Sequence, residues 1–560
     1  MRIDKIENEN PVGRVEVPPG PGRSLMRRLG ALTIVASLVA AWVHTASAHP
    51  PTKHGEPEVI EIDSGALIGT TVRDAVAYLG IPYAAPPVGN LRWRPPQPPV
   101  RWKGSLHADH FGHTCAQNTD YGVFSSASMN EDCLNLNVYT PPGASTRRSR
   151  LPVMFFVHGG GNKVGEGDDY DGSEMAVKGN VIVVTINYRL GALGYLAHPA
   201  LDGTNAPFGN YGFMDQLFAL QWVQHNIHKF NGDPGNVTIF GQSSGGGTVL
   251  ADLIAPAARG LFHKAIIQSG AFQGFKQIQI PKAAAEAKGV GFANAVGCAD
   301  QTAECLRSVP VSEILAKQGS FLLSGGGLVF DPKSMLPRTF QDAFASGDFA
   351  HVPLINGSNG DDARWNVALP EEMGAPPLTS DGYPAAVTGF WGPALQPLVL
   401  EQYPSGNYPS PSIALATAET DYLYACVAHK LNNTLSTAMP VYAYEFNDKT
   451  TPAYMPTVSF HFRAYHTAEL QYIFPHYHGG TGSTNPLNFA QHRLSDEMIE
   501  LWTKFASARG NEPWPDHMWA KYDPTRQRME SFQSEGSTSI DGRSFAQRHR
   551  CDIWDSLALY

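Results

Sequence analysis

Two runs of the chain are apolar almost without interruption, Leu151 to Val157 and Val181 to Ile186. Short runs with no polar face predict strands buried on both sides, as in a parallel sheet. Asn236-Val237-Thr238-Ile239-Phe240 predicts a third such strand, and Leu261 to Gly270 a fourth. Thr248 to Ile254 predicts an apolar helix, and Gln216, Leu217, Leu220, Trp222 and Val223 place another before the third strand. Upstream, Gly69 to Arg73 and Ala75 to Tyr83 read as strands, and His49 to Ser64 as irregular. Glu131 to Tyr139 alternates apolar with polar residues, as a half-exposed strand does. Strands alternating with helices predict an α/β fold with a large, mostly parallel, twisted sheet and helices on both faces. Such sheets bind ligands at the carboxyl ends of their strands.

Downstream the pattern weakens. Pro281 to Pro456 shows little periodicity apart from a short strand, Val352 to Gly357. A late helix is predicted with Ser495 as its N-cap, Gly510 as its terminator and Met498, Leu501, Trp502 and Phe505 facing inward. No internal repeat interrupts the chain.

The strand ends carry the chemistry. Gly241-Gln242-Ser243-Ser244-Gly245 follows a strand and precedes a helix, the setting of a G-x-S-x-G turn that exposes a nucleophilic serine. Gly159-Gly160-Gly161 follows another buried strand, where bare backbone N–H groups can approach a reacting oxygen. A serine needs a base, and the base an orienting acid. In the chain order serine, acid, histidine, Asp331, Asp361 and Asp362 qualify as the acid, and His461, His466, His476 and His478 as the base. Residue types alone do not choose among them.

Charge and composition narrow the classes. A formal charge of -10 over 560 residues, with no basic stripe, argues against a nucleic-acid partner. Six cysteines allow 15 pairings and suit an oxidising compartment. No cysteine or histidine spacing implies a metal, and no organic cofactor is expected. Arg27-Arg28, the apolar run Leu29 to Val43 and Ala46-Ser47-Ala48 read as a signal peptide, residues 1–48, with Met26 an alternative start. Residues 49–560 then form a single exported domain, periplasmic or secreted, without a stable membrane anchor. The oligomeric state is not written in the sequence.

Several further motifs resemble the type-B carboxylesterases, the cholinesterase-related α/β-hydrolases. They are Tyr78-Leu79-Gly80-Ile81-Pro82-Tyr83-Ala84, Glu131-Asp132-Cys133-Leu134-Asn135-Leu136-Asn137, Asn187-Tyr188-Arg189-Leu190-Gly191-Ala192-Leu193-Gly194, Asp215-Gln216 and Cys551-Asp552-Ile553-Trp554. The resemblance runs from about Gly65 to Leu557 and leans toward bacterial members. It implies an α/β-hydrolase fold with long insertions around the active site, and hydrolysis of small-molecule esters through an acyl-enzyme. By the same resemblance Ser243 is the nucleophile, and Gly160, Gly161 and Ser244 are the oxyanion donors. His466 is the base, since His466-Thr467-Ala468-Glu469 matches the family's histidine-x-x-glutamate segment. Asp362 is the acid, with Asp361 as the fallback, and Ser269 supports the triad from behind.

The family disulfides map onto Cys115–Cys133, Cys298–Cys305 and Cys426–Cys551. Two positions depart from the pattern. The acid is aspartate where the family usually has glutamate, one methylene longer. Gln242 precedes the nucleophile where cholinesterases carry glutamate. The Cys115–Cys133 loop also lacks tryptophan, so choline esters are not the expected substrates. Tyr121, Phe124 and Trp365 are candidate cavity aromatics. A lipase, an amidase or a carbamate hydrolase would use the same machinery, whereas a non-catalytic binding protein on this fold would not be expected to keep Ser243 and His466.

Overall fold

The computed structural model describes residues 59–557 apart from 120–125, 203–208, 272–278, 324–326, 478, 480–485, 510–513 and 515–517. The expected signal peptide, Tyr121, Phe124, His478 and Gly510 therefore lie outside the described residues. Eleven strands form the main sheet: β1 (Thr70–Val72), β2 (Ala75–Pro82), β3 (Asn135–Thr140), β4 (Leu151–Val157), β5 (Ile182–Ile186), β6 (Gly232–Gln242), β7 (Lys264–Gln268), β8 (Leu354–Asn359), β9 (Val441–Phe446), β10 (Arg528–Phe532) and β11 (Thr538–Asp541). Their spatial order is β11-β10-β9-β8-β7-β6-β4-β5-β3-β2-β1. From β10 to β5 every neighbouring pair is parallel, and the pairings outside that run are antiparallel. The parallel centre is where the uninterrupted apolar runs fall. Val153 to Val157 of β4 are at most 1% exposed, because helices cover both faces of such a sheet.

Three expectations are corrected. β3 is buried along its whole length, so its alternation does not mark a wet face. Its polar residues are paired inside: Asn137 accepts from the Gly80 N–H at 2.9 Å and donates to Thr185 Oγ1 at 3.0 Å. The segment before Ser64 is not wholly irregular, since Val59–Ile62 pairs antiparallel with Gly65–Ile68. The late helix, Phe489–Ser507, begins six residues before Ser495. Asn488 caps it in a reciprocal box with Gln491, and Ser495 donates sideways to the Tyr472 carbonyl at 2.7 Å. Met498, Trp502 and Phe505 are buried as expected.

Two buried arginines, Arg189 of the motif set and Arg92, hold the fold. Arg189 makes two 2.7 Å bonds to Asp215, on the helix Tyr211–Asn226, and both side chains are buried. Arg92 grips Glu131 at 2.5 and 2.7 Å. The disulfides Cys115–Cys133, Cys298–Cys305 and Cys426–Cys551 are all present.

Beside the last of these lies a buried charge cluster. His549 stands 2.6 Å from Asp421 Oδ1 and 3.2 Å from Glu445 Oε1. Burial by itself would lower the imidazole pKa, but the two carboxylates outweigh it and raise it to about 9. A pKa raised on folding gives stability that is complete below the ordinary histidine value and lost as pH rises through the folded one. Tm should therefore step down as pH passes about 9. His549→Gln, which removes the cation between the two carboxylates and leaves Glu445 to Arg548 and Asp421 to the Tyr403 hydroxyl, should cost about 3 kcal/mol at pH 7 and abolish that step. Thermal melts from pH 7 to 10 check both.

Candidate active site

Four loops at the carboxyl ends of parallel strands converge on one cavity of about 300 Å³. Ser243 follows β6 and precedes the helix Ser244–Ile254, longer at its start than the apolar run suggested. Its backbone sits at φ 56° and ψ -129°, the sharp turn that lifts a side chain out of the sheet. The turn closes because its glycines lack side chains. A Cβ on Gly245 would lie 2.1 Å from the Val157 carbonyl. The Ser243 N–H donates to Gln268 at the end of β7, at 2.9 Å.

Gly159, Gly160 and Gly161, after β4, line the cavity with Ser243 and His466. Gly160 has φ +103°, and a Cβ there would strike the Val164 carbonyl at 2.1 Å, so only glycine fits the loop. Ser244 opens the following helix, and its hydroxyl accepts from the Asn162 N–H at 3.1 Å, tying that helix to the glycine loop. His158, just before the glycines, is buried against Tyr188, with ring centroids 4.3 Å apart. Burial lowers its pKa to about 4, which keeps it neutral and structural.

Asp362 follows β8, and His466 lies in the loop after β9. Asp362 Oδ1 stands 2.6 Å from His466 Nδ1. Its Oδ2 accepts from Ser269 Oγ at 2.7 Å and the Asn359 N–H at 2.8 Å. A further bond, from the His466 N–H to the Asp362 carbonyl at 2.9 Å, draws the two loops together, so the shorter aspartate reaches the ring. Both residues are buried. Nδ1–H bonded to a carboxylate leaves Nε2 as the acceptor, and the Gln242 amide nitrogen faces it at 3.3 Å. Glu469 lies deeper, accepting from Asn359 at 2.5 Å and Gln268 at 3.3 Å, and burial raises its pKa to about 7.

The other candidates go elsewhere. Asp361 pairs with Arg364 at 2.9 Å and faces a separate polar cavity of about 140 Å³. Asp331 caps the Lys333 N–H in a turn. The His461 carbonyl accepts from Arg364, and the His476 ring reaches Glu174 at 3.2 Å. Trp365 does line the cavity and stacks on His466 at 5.8 Å. Tyr170, Asn366, Leu369, Tyr424 and Tyr477 line it too and were not found from the sequence. Tyr424 sits in the π-helical turn Asp421–Ala425 and packs on His466 at 5.0 Å. No motif announces such a turn, whose effect is to redirect side chains.

A model of the carboxylesterase family matches residues 56–554. The chain belongs to this family. The chain is 34% identical to acylcarnitine hydrolase of Mus musculus over 478 residues, covering 79% of this chain and 81% of that protein. It is 32% identical to the para-nitrobenzyl esterase of Bacillus subtilis (strain 168), with 84% and 94% covered. A solved thermophilic PNB esterase superposes with a TM-score of 0.73 at 29% identity, covering 88% of this chain and 99% of that one. The fold is thus the α/β-hydrolase fold, and the protein is a carboxylic ester hydrolase. Within the carboxylesterase, no helix among the described residues is long and apolar enough to cross a membrane. The three disulfides are compatible with export.

Proposed function

We propose that this carboxylesterase cleaves small esters by two-step acyl transfer at Ser243. His466 Nε2 takes the hydroxyl proton as Ser243 Oγ attacks the ester carbonyl. The N–H groups of Gly160, Gly161 and Ser244 receive the oxyanion. His466 returns the proton to the departing alcohol, leaving an acyl-serine, and then activates the water that releases the acid. Asp362 holds the imidazole in the tautomer this requires, and Ser269 and the Asn359 N–H hold Asp362. The observation that carries the reading is the 2.6 Å Asp362–His466 pair opening into the same cavity as Ser243 and the glycine loop.

A fluorophosphonate should label Ser243 at one equivalent per chain, with loss of activity on p-nitrophenyl esters in proportion. Labelling elsewhere, or activity surviving full labelling, would reject the assignment. The cavity of about 300 Å³ favours short and medium acyl chains over a lipase substrate. p-Nitrophenyl butyrate should exceed the palmitate in kcat/KM by about tenfold or more. Export belongs to the same reading, with cleavage after Ala48 leaving His49 as the N-terminus, and N-terminal sequencing of exported protein tests it.

A further inference from the structure

Besides Gln242, which faces His466, the cavity wall carries one other side-chain amide among the described residues. Asn366 lies on the short helix Arg364–Glu372, between Trp365 and the cavity-lining Leu369. Its side chain is held by two neighbours. Nδ2 donates to Glu419 Oε2 at 3.5 Å, and Oδ1 accepts from the Tyr424 hydroxyl at 3.4 Å. Glu419 comes from the helix Pro411–Thr420 and is 5% exposed. Burial raises its pKa to about 8, so it is mostly protonated at neutral pH, and its carbonyl oxygen still accepts. The acyl-transfer chemistry uses neither residue.

An amide has two N–H donors and two acceptor lone pairs. Glu419 takes one donor and Tyr424 one acceptor. One of each is left over, on a stretch of wall where Asn366 lies between Trp365 and Leu369; Asp169 and Thr467 are the other polar side chains of the lining besides Gln242, Ser243 and His466. A hydroxyl group donates and accepts once each, and so matches what is left. A methyl group in the same place would leave both partly buried groups unpaired, the situation in which sites discriminate most sharply.

We propose that Asn366 is a specificity-determining residue that favours esters bearing a hydroxyl group over hydrocarbon esters of the same shape. Glu419 acts through it as a positioning residue. The inference rests on the esterase reading above.

Two matched pairs test it: p-nitrophenyl 3-hydroxybutyrate against 3-methylbutyrate for the acyl side, and 2-hydroxypropyl against 2-methylpropyl acetate for the alcohol side. The quantity is the kcat/KM ratio within each pair, corrected for the hydroxide-catalysed rates. Because both esters meet the same preparation, any loss of folded enzyme cancels. The wild type should favour the hydroxylated member of at least one pair by about tenfold, the worth of one net hydrogen bond. Asn366→Leu should bring that ratio to about one. Glu419→Gln, whose carbonyl still accepts from Asn366, should keep the preference, and Glu419→Leu should lose it.

Equal wild-type rates in both pairs, or a preference that survives in Asn366→Leu, overturn the inference and leave the esterase reading standing. A preference that survives in Glu419→Leu removes Glu419 from it. A wild type that hydrolyses no member of either pair and takes no fluorophosphonate overturns both readings.

Discussion

Ser243→Ala should lower kcat by about five to six orders of magnitude, as loss of a triad member does in serine hydrolases. In the proposed mechanism Oγ forms the acyl bond, and the neighbouring Ser244 hydroxyl, held on the Asn162 N–H and absent from the cavity lining, does not take its place. The substitution removes one atom and keeps Cβ, so the turn at φ 56° is strained to the same extent in both proteins. Tm should stay within a few degrees of wild type, because Cβ and the turn are kept and Ser243 lines the cavity, so its Oγ is not part of the packed core. What remains should be catalysis by the oxyanion donors and binding, about a thousandfold over water. The pre-steady-state burst of p-nitrophenol should vanish. Turnover near the wild-type rate would sink the role of Ser243.

The second large effect separates two adjacent aspartates. Asp362→Asn should cost about four orders of magnitude in kcat. Asp362 accepts from three donors, the His466 ring, Ser269 and the Asn359 N–H. An asparagine that keeps its oxygen on the Asn359 side turns its NH₂ toward His466 Nδ1. That ring nitrogen must then accept, the proton moves to Nε2, and the base can no longer take the serine proton. Asp361→Asn should change kcat by no more than about threefold, since it loosens an ion pair with Arg364 at the edge of another cavity. The opposite ranking of the two variants would transfer the acid's role to Asp361.

The central sheet was legible because burial on both faces leaves an unbroken apolar run. β4 begins and ends where its residues predict. β6 starts earlier than expected, at Gly232, which pairs with Leu151 of β4 ahead of an irregularity that holds Asp233-Pro234-Gly235, the turn-like residues that hid it. Buried asparagines misled the reading of β3, since alternation measures polarity and not exposure. The cap of the late helix was missed because Phe489, at its first position, is 81% exposed and offers no inward stripe. At the site, serine and glycine loop were readable from local pattern. The choice of His466 and Asp362 came from family resemblance, since pairing across 104 residues leaves no local signal. The cavity wall was the least legible part. Trp365 was named from the sequence, but Asn366, Leu369 and Tyr424 come from short helices whose tertiary neighbours, not periodicity, decide which way they face.

The chain order of the three residues also has a consequence for biosynthesis. β4, β6 and β7, with the turn that carries Ser243, lie within the first half of the chain, whereas His466 follows β9. On the proposed mechanism, a growing polypeptide carries the serine some two hundred residues before the base that would activate it (224 separate Gln242 from His466). On that reading it neither hydrolyses esters nor is acylated while it is being made, and activity should appear only when the last third has docked, which would make turnover a report on the completion of folding.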